Sequence, residues 1–183
     1  MNRTFDIIVS IFALIILSPF FILVSLLIKL TSPGPVFYKA TRVGKNGVPF
    51  RLYKFRSMIA SADQEGPKIT TQGDSRVTHL GCWLRKLKID ELPQFINVLK
   101  GDMSVVGPRP EDPYYVDTYT LEQRAVLNVR PGVTSPASVR YRSEEKLLSG
   151  DDWEKEYKDK IMPKKLQLEL EYLCKRNFIT DLK

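Results

Sequence analysis

Histidine and cysteine are scarce in this chain of 183 residues, which has one histidine, His79, and two cysteines, Cys82 and Cys174. No group among them has the spacing of zinc ligands, which argues against a structural zinc site. Two cysteines outside any disulfide framework are typical of reduced thiols in a cytosolic compartment. A single histidine is more often a polar surface or core residue than a catalyst, and we assign no role to His79.

Charged residues are absent from residues 7 to 28, which read IIVSIFALIILSPFFILVSLLI. As a helix this run reaches roughly 33 Å, about the thickness of the hydrocarbon core of a bilayer. The run is long for the core of a signal peptide, and no small-residue cleavage site follows it, which indicates a retained membrane anchor. The alternative is a buried core helix, although such helices usually keep a polar stripe.

A proline lies in the middle of this apolar run, at Ser18-Pro19. Proline removes a backbone hydrogen bond and pushes the preceding turn aside, so the pair predicts a kink in a helix that spans the membrane. A second interpretation is a break at which the helix turns and leaves the membrane by the face it entered. These residues alone do not choose between the two topologies.

Acidic residues are absent from residues 29 to 56, whereas seven basic residues lie there. By the positive-inside rule, the chain after the apolar run is cytoplasmic in either topology. We therefore divide the chain into a membrane-anchoring segment, residues 1–31, and a cytoplasmic domain, residues 32–183. This length suits one compact domain rather than two.

A β-hairpin is predicted directly after the anchor. The segments PVFYKATRV and PFRLYKFRSM are rich in aromatic and branched residues, and the Asn46-Gly47 pair between them is typical of a tight turn. Lys54 and Arg56 alternate with aromatic residues and would share one face of the second strand, as a phosphate-binding pair requires. Simple attraction to anionic lipid also accounts for basic residues near a membrane.

The remaining pattern predicts an α+β fold, mainly helical apart from the hairpin. The segment HLGCWLRKL has one apolar face, made by Leu80, Leu84 and Leu87. A second helix is predicted from about Asp90, with Pro93 in its first turn, to just before Gly101. Its expected buried face consists of Leu92, Phe95, Ile96 and Leu99.

Two further segments carry less information. Residues 59–76 are polar and predict a loop. Residues 142–183 are charged and helix-prone, and Leu166, Leu170 and Leu173 form a helical face that predicts a packed amphipathic helix. The sequence assigns neither segment a role.

Two adjacent carboxylates, Asp90 and Glu91, follow a cluster of three cations in the middle of the chain. Asp90 is a good residue for an N-cap, and capping alone would explain its position. The N-terminus of a helix also favours ionised carboxylates and bound phosphate, which would suit a catalytic pair. Spacing alone favours the cap.

Arginine stands beside proline twice in the second half of the chain, in Pro108-Arg109-Pro110 and in the VRPG segment that begins at Val129. Proline restricts the backbone on either side of such an arginine. A guanidinium held stiffly can bind a phosphate in a bidentate manner or stack on a base at little entropic cost. Arg109 and Arg130 are therefore candidate phosphate ligands.

Overall composition agrees with anionic partners. The chain carries 28 Lys and Arg against 21 Asp and Glu, a formal net charge of +7. Such an excess attracts nucleic acid, acidic lipid head groups or phosphorylated small molecules.

The segment KIDELPQFINVLKGDMSVVGPRP, with YKFRSM before it and VRPGVTSPA after it, resembles the bacterial sugar transferase family, the monotopic phosphoglycosyl transferases. The resemblance runs from the apolar segment to about Tyr141 and more loosely beyond. It implies transfer of a sugar-1-phosphate from a UDP-sugar to a polyprenyl (undecaprenyl) phosphate, with release of UMP. It also implies a re-entrant helix broken at a Ser-Pro pair, which Ser18-Pro19 matches.

The resemblance further implies roles for single residues. Asp90 would be the nucleophile that forms a covalent phosphosugar intermediate, and Glu91 would be a ligand of an expected Mg²⁺ cofactor. The position of Arg85 matches a phosphate-binding arginine of the family. Further candidate substrate ligands are Lys54, Arg56, Arg109 and Arg130.

The expected location is the bacterial inner (cytoplasmic) membrane, with the catalytic domain on the cytoplasmic face and amphipathic helices at the membrane surface. The expected partners are a UDP-sugar, polyprenyl phosphate and membrane lipid, but not nucleic acid. The alternative function is a membrane-tethered basic adaptor that binds anionic lipid or nucleic acid without catalysis. Neither the sugar nor the oligomeric state follows from the sequence.

Overall fold

A computed structural model describes residues 2–62, 70, 73–144, 148, 152–177 and 180–181 of the chain. Its helices and strands, in chain order, are α1 (Arg3–Thr31), β1 (Phe37–Val43), β2 (Pro49–Phe55), α2 (His79–Lys86), α3 (Gln94–Lys100), β3 (Ser104–Val106), α4 (Pro113–Val116), β4 (Gly132–Thr134), α5 (Pro136–Arg140), α6 (Trp153–Glu156) and α7 (Met162–Lys175). A π-helical turn, Tyr157–Ile161, joins α6 to α7. Short 3-10 helices lie at Lys45–Gly47, Ile89–Glu91 and Gln123–Asn128. The predicted α+β class is confirmed.

Helix α1 stays helical through Ser18-Pro19, so the predicted break in its secondary structure is wrong. Pro19 has no N–H to donate to the carbonyl of Ile15, one turn earlier. The hydroxyl of Ser18 donates to that same carbonyl instead, at 2.8 Å. The Ser-Pro pair therefore compensates locally for the hydrogen bond that proline removes, which lets the helix continue in an apolar environment.

Both ends of α1 contact the rest of the protein. Near its start, Arg3 donates to the carbonyls of Val98 and Leu99 at 2.6 and 2.9 Å, at the end of α3. Near its end, Val24 and Ile28 are buried in an apolar cluster with residues of β2 and α2.

Between those ends the helix presents large exposed apolar side chains, among them Phe12, Ile15, Ile16 and Ile22. Within the described residues, α1 is the one helix long and apolar enough to cross a membrane. The re-entrant topology stays a prediction.

Strands β1 and β2 form the predicted antiparallel hairpin, with Ala40 opposite Leu52. Asn46 and Gly47 adopt positive φ angles of 57° and 77°, as the Asn-Gly signal requires. The side chain of the fully buried Asn97 in α3 attaches this hairpin to the helix. It accepts from the backbone N–H of Tyr53 and donates to the carbonyl of Arg51.

Helix α2 begins at the predicted place because Thr78 caps it, accepting from the N–H of Gly81 at 2.9 Å. A Cβ at Gly81 would lie 1.9 Å from the carbonyl oxygen of Ser57, so only glycine allows this approach. The predicted apolar face is correct for Leu84 but wrong for Leu87, which lies beyond the last helical residue and is 54% exposed.

Helix α3 begins at Gln94, not near Asp90 as predicted, because a separate 3-10 helix holds residues 89–91. It ends where Gly101 takes a left-handed conformation, as predicted. Its most buried side chains are Gln94, Asn97 and Val98, whereas the four residues of the predicted buried face are half-buried.

The short strands β3 and β4 pair in parallel, with Ser104 opposite Gly132 and Val106 opposite Thr134. At this pair the backbones of Gly107 and Gly132 approach so closely that a Cβ on Gly132 would lie 2.1 Å from the nitrogen of Gly107. The largest apolar cluster packs α4 and the 3-10 helix at residues 123–128 against α7. Leu166 is buried in it as predicted.

Candidate active site

A cavity of about 1040 Å³ opens between the hairpin, α3 and the C-terminal helices. Arg56 borders it, and five further predicted site residues line it together: Lys54, Arg85, Asp90, Glu91 and Arg109. They come from β2, α2, the 3-10 helix at residues 89–91 and the loop after β3. Tertiary packing thus collects residues that are up to 55 positions apart in the sequence (109 − 54 = 55).

Glu91 is bound by two cations. Lys54 Nζ donates to its Oε1 at 2.9 Å, and Arg109 donates to Oε1 at 2.6 Å and to Oε2 at 3.2 Å. Burial by itself raises the pKa of Glu91, but Arg109 and Lys54 outweigh it and hold the pKa well below its ordinary value. Glu91 is therefore ionised at neutral pH.

Asp90 is in the opposite situation. Its side chain is buried, and among the described residues Oδ1 has no hydrogen-bond partner. Burial raises the pKa of Asp90. The positive charge of Lys54 opposes this shift, and the negative charge of Glu91 adds to it. Asp90 caps no helix, because the N-cap residue of the 3-10 helix is Lys88 and the N-cap residue of α3 is Pro93. The capping interpretation, which spacing alone favoured, is wrong.

Lys88 also lines the cavity, and the sequence analysis missed it. It has a positive φ of 59°, uncommon for lysine, and this conformation turns the chain from α2 into the acidic pair. Burial lowers the pKa of Lys88, although Glu91 opposes the shift. The sequence pattern did not distinguish Lys88 from the other cations of the cluster, because spacing does not show which residue takes a left-handed conformation.

Two predicted phosphate ligands have other partners. The guanidinium of Arg56 borders the cavity but donates to the carbonyls of Ser32 and Pro33, where it holds the chain that leaves α1. Arg130 does not line the cavity and donates to the carbonyl of Gly101 at 2.9 Å. Both arginines therefore use their guanidinium groups to hold backbone carbonyls in place.

The loop that carries Arg109 is positioned from two sides. The parallel strands place it beside β4 through the close approach of Gly107 and Gly132. On the other side, the backbone N–H of Arg109 donates to Glu169 of α7 at 3.4 Å. Glu169 is buried and also accepts from Ser135 at 2.6 Å, and burial raises its pKa.

A second group of ionisable residues lines the same cavity, and the sequence analysis assigned none of them. We call it the acidic wall; it consists of Glu111, Glu144, Tyr157 and Lys165. Tyr157 donates to Glu111 at 2.5 Å, and Lys165 donates to both oxygens of Glu144 at 2.9 and 3.0 Å. Three of these residues lie in the segment 142–183 for which no role was predicted.

The carboxylates of Asp90 and Glu91 fit a magnesium ion in their chemistry. Mg²⁺ takes oxygen ligands, keeps several waters and uses one or two protein carboxylates together with substrate phosphates. Glu91 accepts three hydrogen bonds, and an ionised carboxylate has about four acceptor sites, which leaves room for a metal ion. In the part of the chain that the structure describes, no group of three or more His, Cys, Asp or Glu residues could hold a metal, so a cage made by protein alone is not formed.

A buried aspartate and a half-buried glutamate lie among four cations, and the described part of the chain has one long apolar helix. This is the charge pattern of a membrane-associated site for phosphorylated ligands. The chain belongs to the bacterial sugar transferase family, whose family model matches residues 1–183.

Individual relatives agree. The chain is 48% identical over 141 residues to the UDP-N-acetylgalactosamine-undecaprenyl-phosphate N-acetylgalactosaminephosphotransferase of Aeromonas hydrophila, covering 75% of this chain and 33% of the relative. It is 38% identical over 187 residues to the UDP-glucose:undecaprenyl-phosphate glucose-1-phosphate transferase of Escherichia coli (strain K12), covering 100% of this chain and 38% of the relative. It therefore spans about a third of the length of these two curated relatives.

A third relative is matched over most of its own length. This is the uncharacterized sugar transferase EpsL of Bacillus subtilis (strain 168), 38% identical over 183 residues, with 100% of this chain and 82% of the relative covered.

Proposed function

We propose that this protein is a phosphoglycosyl transferase that moves a sugar-1-phosphate from a UDP-sugar to undecaprenyl phosphate and releases UMP, an initiating step of glycoconjugate or polysaccharide assembly. The observation that carries the proposal is the buried carboxylate of Asp90, which lies beside the cation-bound Glu91 and has one oxygen with no partner in the described part of the chain. A basic adaptor would have no use for such a carboxylate, because leaving a buried acceptor unsatisfied costs stability. The names of the relatives supply the substrate classes.

In the proposed reaction the ionised carboxylate of Asp90 attacks the phosphorus that bears the sugar. A bond forms between a carboxylate oxygen and phosphorus, the bond between the two phosphates breaks, and UMP leaves with that electron pair. A phosphate oxygen of the lipid then attacks the same phosphorus, and the Asp90 carboxylate leaves. Burial raises the pKa of Asp90, and a more basic carboxylate is the stronger nucleophile once it is ionised.

The surrounding cations prepare the site for two anionic substrates. Lys54, Arg85, Lys88 and Arg109 line the cavity around the acidic pair and offset the repulsion between phosphates and carboxylates. Arg109 has its guanidinium plane fixed by Glu91, so its remaining N–H groups are oriented before substrate arrives. Glu91 would hold Mg²⁺, which would neutralise charge on the diphosphate when bound.

The contacts of α1 support a re-entrant anchor. Its first turn binds the end of α3 through Arg3, and Asp6 accepts from Ser104 and from the N–H of Val105. The chain directly after the helix is bound by Arg56. Both ends of the apolar helix therefore lie against the same globular part, which a straight span would separate by the thickness of the bilayer.

The basic residues after α1 favour the cytoplasmic face of the inner membrane for that globular part. There the reacting groups would meet the lipid phosphate at the membrane surface.

The test is an assay of UMP release by the purified chain in lipid nanodiscs with undecaprenyl phosphate, Mg²⁺ and a panel of UDP-sugars. We expect release of UMP with at least one donor, together with a lipid-linked phosphosugar. Failure with every donor, in a preparation that is folded by thermal melting, would contradict the proposed function.

A further inference from the structure

The acidic wall (Glu111, Glu144, Tyr157 and Lys165) lines the cavity of Asp90 but has no part in the steps described above. We propose that this wall binds the hexose of the donor and thereby sets which UDP-sugar is used. The inference rests on the proposed function and adds to it the residues that select the sugar. It assigns a role to the C-terminal helices, for which the sequence pattern predicted none and which take no part in the reaction steps described above.

The hydrogen bonds of the wall leave acceptor sites on one carboxylate. Lys165 donates to Glu144 Oε1, to Glu144 Oε2 and, at 3.3 Å, to the hydroxyl of Tyr157, which uses its three N–H groups. An ionised carboxylate has about four acceptor sites, of which Lys165 takes two on Glu144. The side chain of Glu144 is 22% exposed, against 9% for Lys165. Glu144 therefore combines free acceptor sites with access from the cavity.

Charge decides which part of a UDP-sugar suits this wall. Glu111 and Glu144 repel phosphates, which the cations beside Asp90 attract. A neutral group rich in O–H donors favours the acidic wall instead, because adjacent hydroxyls can donate to one carboxylate. Glu111 and Glu144 both act on Arg109, whose pKa they help to raise, so the wall lies within electrostatic reach of the phosphate-binding end. In a UDP-sugar the hexose is attached directly to a phosphate.

The ring of Tyr157 argues for the hexose over the uracil base. A planar base is best held by stacking on an open aromatic face. Tyr157 is buried, its ring packs edge-on against Tyr115 with centroids 5.0 Å apart, and Lys165 lies over it at 5.1 Å. The wall thus offers polar atoms and no free ring face, which fits a saturated, hydroxylated ring.

The π-helical turn Tyr157–Ile161 brings the wall together. In a regular α-helix, residues eight positions apart point about 80° away from each other. The extra residue of a π turn reduces that difference to about 20°, so Tyr157 and Lys165 come to share one face. Such turns are uncommon and occur frequently at functional sites.

The experiment compares donor preference in Glu144→Gln with the unchanged protein, using UDP-glucose, UDP-galactose and their two N-acetylated counterparts. The substitution keeps the shape and removes the charge. We expect kcat/KM for the preferred donor to fall roughly tenfold, and its ratio to the next donor to fall by a similar factor. Inhibition by UMP, which carries no hexose, should stay within about twofold, since it reports only the uridine and phosphate contacts.

Glu144→Asp is the second variant, because it keeps the charge within reach of Lys165 and shifts the acceptor by one methylene. It should fold and still alter the donor ratios. The matched control is Glu156→Gln, which removes a carboxylate from an exposed ion pair with Lys160 away from the cavity. This control should leave both rates and ratios unchanged.

The outcomes separate the two proposals. If the unchanged protein uses no UDP-sugar, the proposed function fails. If it does, unchanged donor ratios in both Glu144 variants overturn the inference alone. Weaker inhibition by UMP in parallel with turnover would also overturn it, by placing the uridine at this wall. A large drop in the melting temperature of both variants, measured without ligand, would show that Glu144 is needed for the fold and not for the sugar.

Discussion

The guanidinium of Arg109 binds both carboxylate oxygens of Glu91, and Lys54 binds one of them as well. The next residue in the chain, Asp90, has a buried oxygen with no partner among the described residues. Two adjacent carboxylates therefore have different tasks. Glu91 accepts hydrogen bonds from two cations, whereas Asp90 has an oxygen available to react.

Replacing Glu91 by Gln should reduce both stability and activity. Breaking this pair leaves two partly buried cations without their counter-charge, at a cost of about 2 kcal/mol in the free energy of unfolding. Turnover should fall because Arg109 and Lys54 lose their fixed positions. Chemical denaturation and UMP release measure the two effects. Glu156→Gln is the control, since its ion pair with Lys160 is exposed; equal losses in both variants would contradict a special role for Glu91.

Replacing Asp90 by Asn should abolish turnover and raise the melting temperature. Asn keeps the size of the side chain, but the reacting oxygen is lost, so kcat should fall by at least about 10³-fold. Removing a charge whose burial is unfavourable should stabilise the fold. Intact-protein mass spectrometry with UDP-sugar and no lipid should show an adduct of one phosphosugar that is absent from the variant. An adduct on the variant would place the nucleophile elsewhere.

The pH dependence of these proteins follows from the raised pKa of Asp90. Its ionised form is disfavoured in the fold, so the penalty is absent below the ordinary pKa of 3.8 and complete above the raised one. The stability advantage of Asp90→Asn should therefore shrink as the pH falls. The acid limb of kcat/KM should lie above 3.8, because Asp90 must be ionised to attack. A stability difference that stays constant on acidification would contradict this assignment.

Replacing Arg85 by Ala should lower kcat/KM while the protein stays folded. Arg85 is half-buried in the cavity wall, and its charge lowers the pKa of Asp90. Losing a charged contact to a phosphate should cost on the order of 2 to 3 kcal/mol. Lys86→Ala is the matched control on the same helix, because Lys86 is exposed and does not line the cavity. Near-normal turnover in Arg85→Ala would show that this arginine makes no contact with the substrate that turnover requires.

Cysteine labelling can decide the topology of α1. The exposed Cys82 and Cys174 are first replaced by serine, and single cysteines are then placed at Asn2 and Lys45. A re-entrant helix predicts that a membrane-impermeant maleimide labels neither position in intact cells and both after permeabilisation. Labelling at position 2 alone in intact cells would establish a simple span.

Local structure in this protein was accessible from sequence because neighbouring residues decide it. The apolar run before Lys29 is helical, and Asn46-Gly47 makes the hairpin turn because both residues accept positive φ. Gly101 ends α3 for the same reason. These features depend on periodicity and on backbone preferences that act over a few residues.

The site depended on tertiary structure. Arg56, Arg109 and Arg130 are alike in sequence as basic residues near proline or aromatic neighbours, yet only Arg109 binds Glu91, while the other two bind backbone carbonyls. The parallel pairing of β3 with β4 holds the loops of Arg109 and Arg130 next to each other, yet only Arg109 lines the cavity.

By itself, the sequence determined the long apolar helix, the hairpin and the order of the family's motifs, since each is a short-range pattern. Tertiary structure decided that Asp90 is buried, with one oxygen that no described residue binds, rather than capping a helix. It also decided that Glu144, Tyr157 and Lys165 share a cavity with Asp90. The physical reason is that burial and electrostatic partners depend on which distant segments pack together, and periodicity along a chain carries no record of those distances.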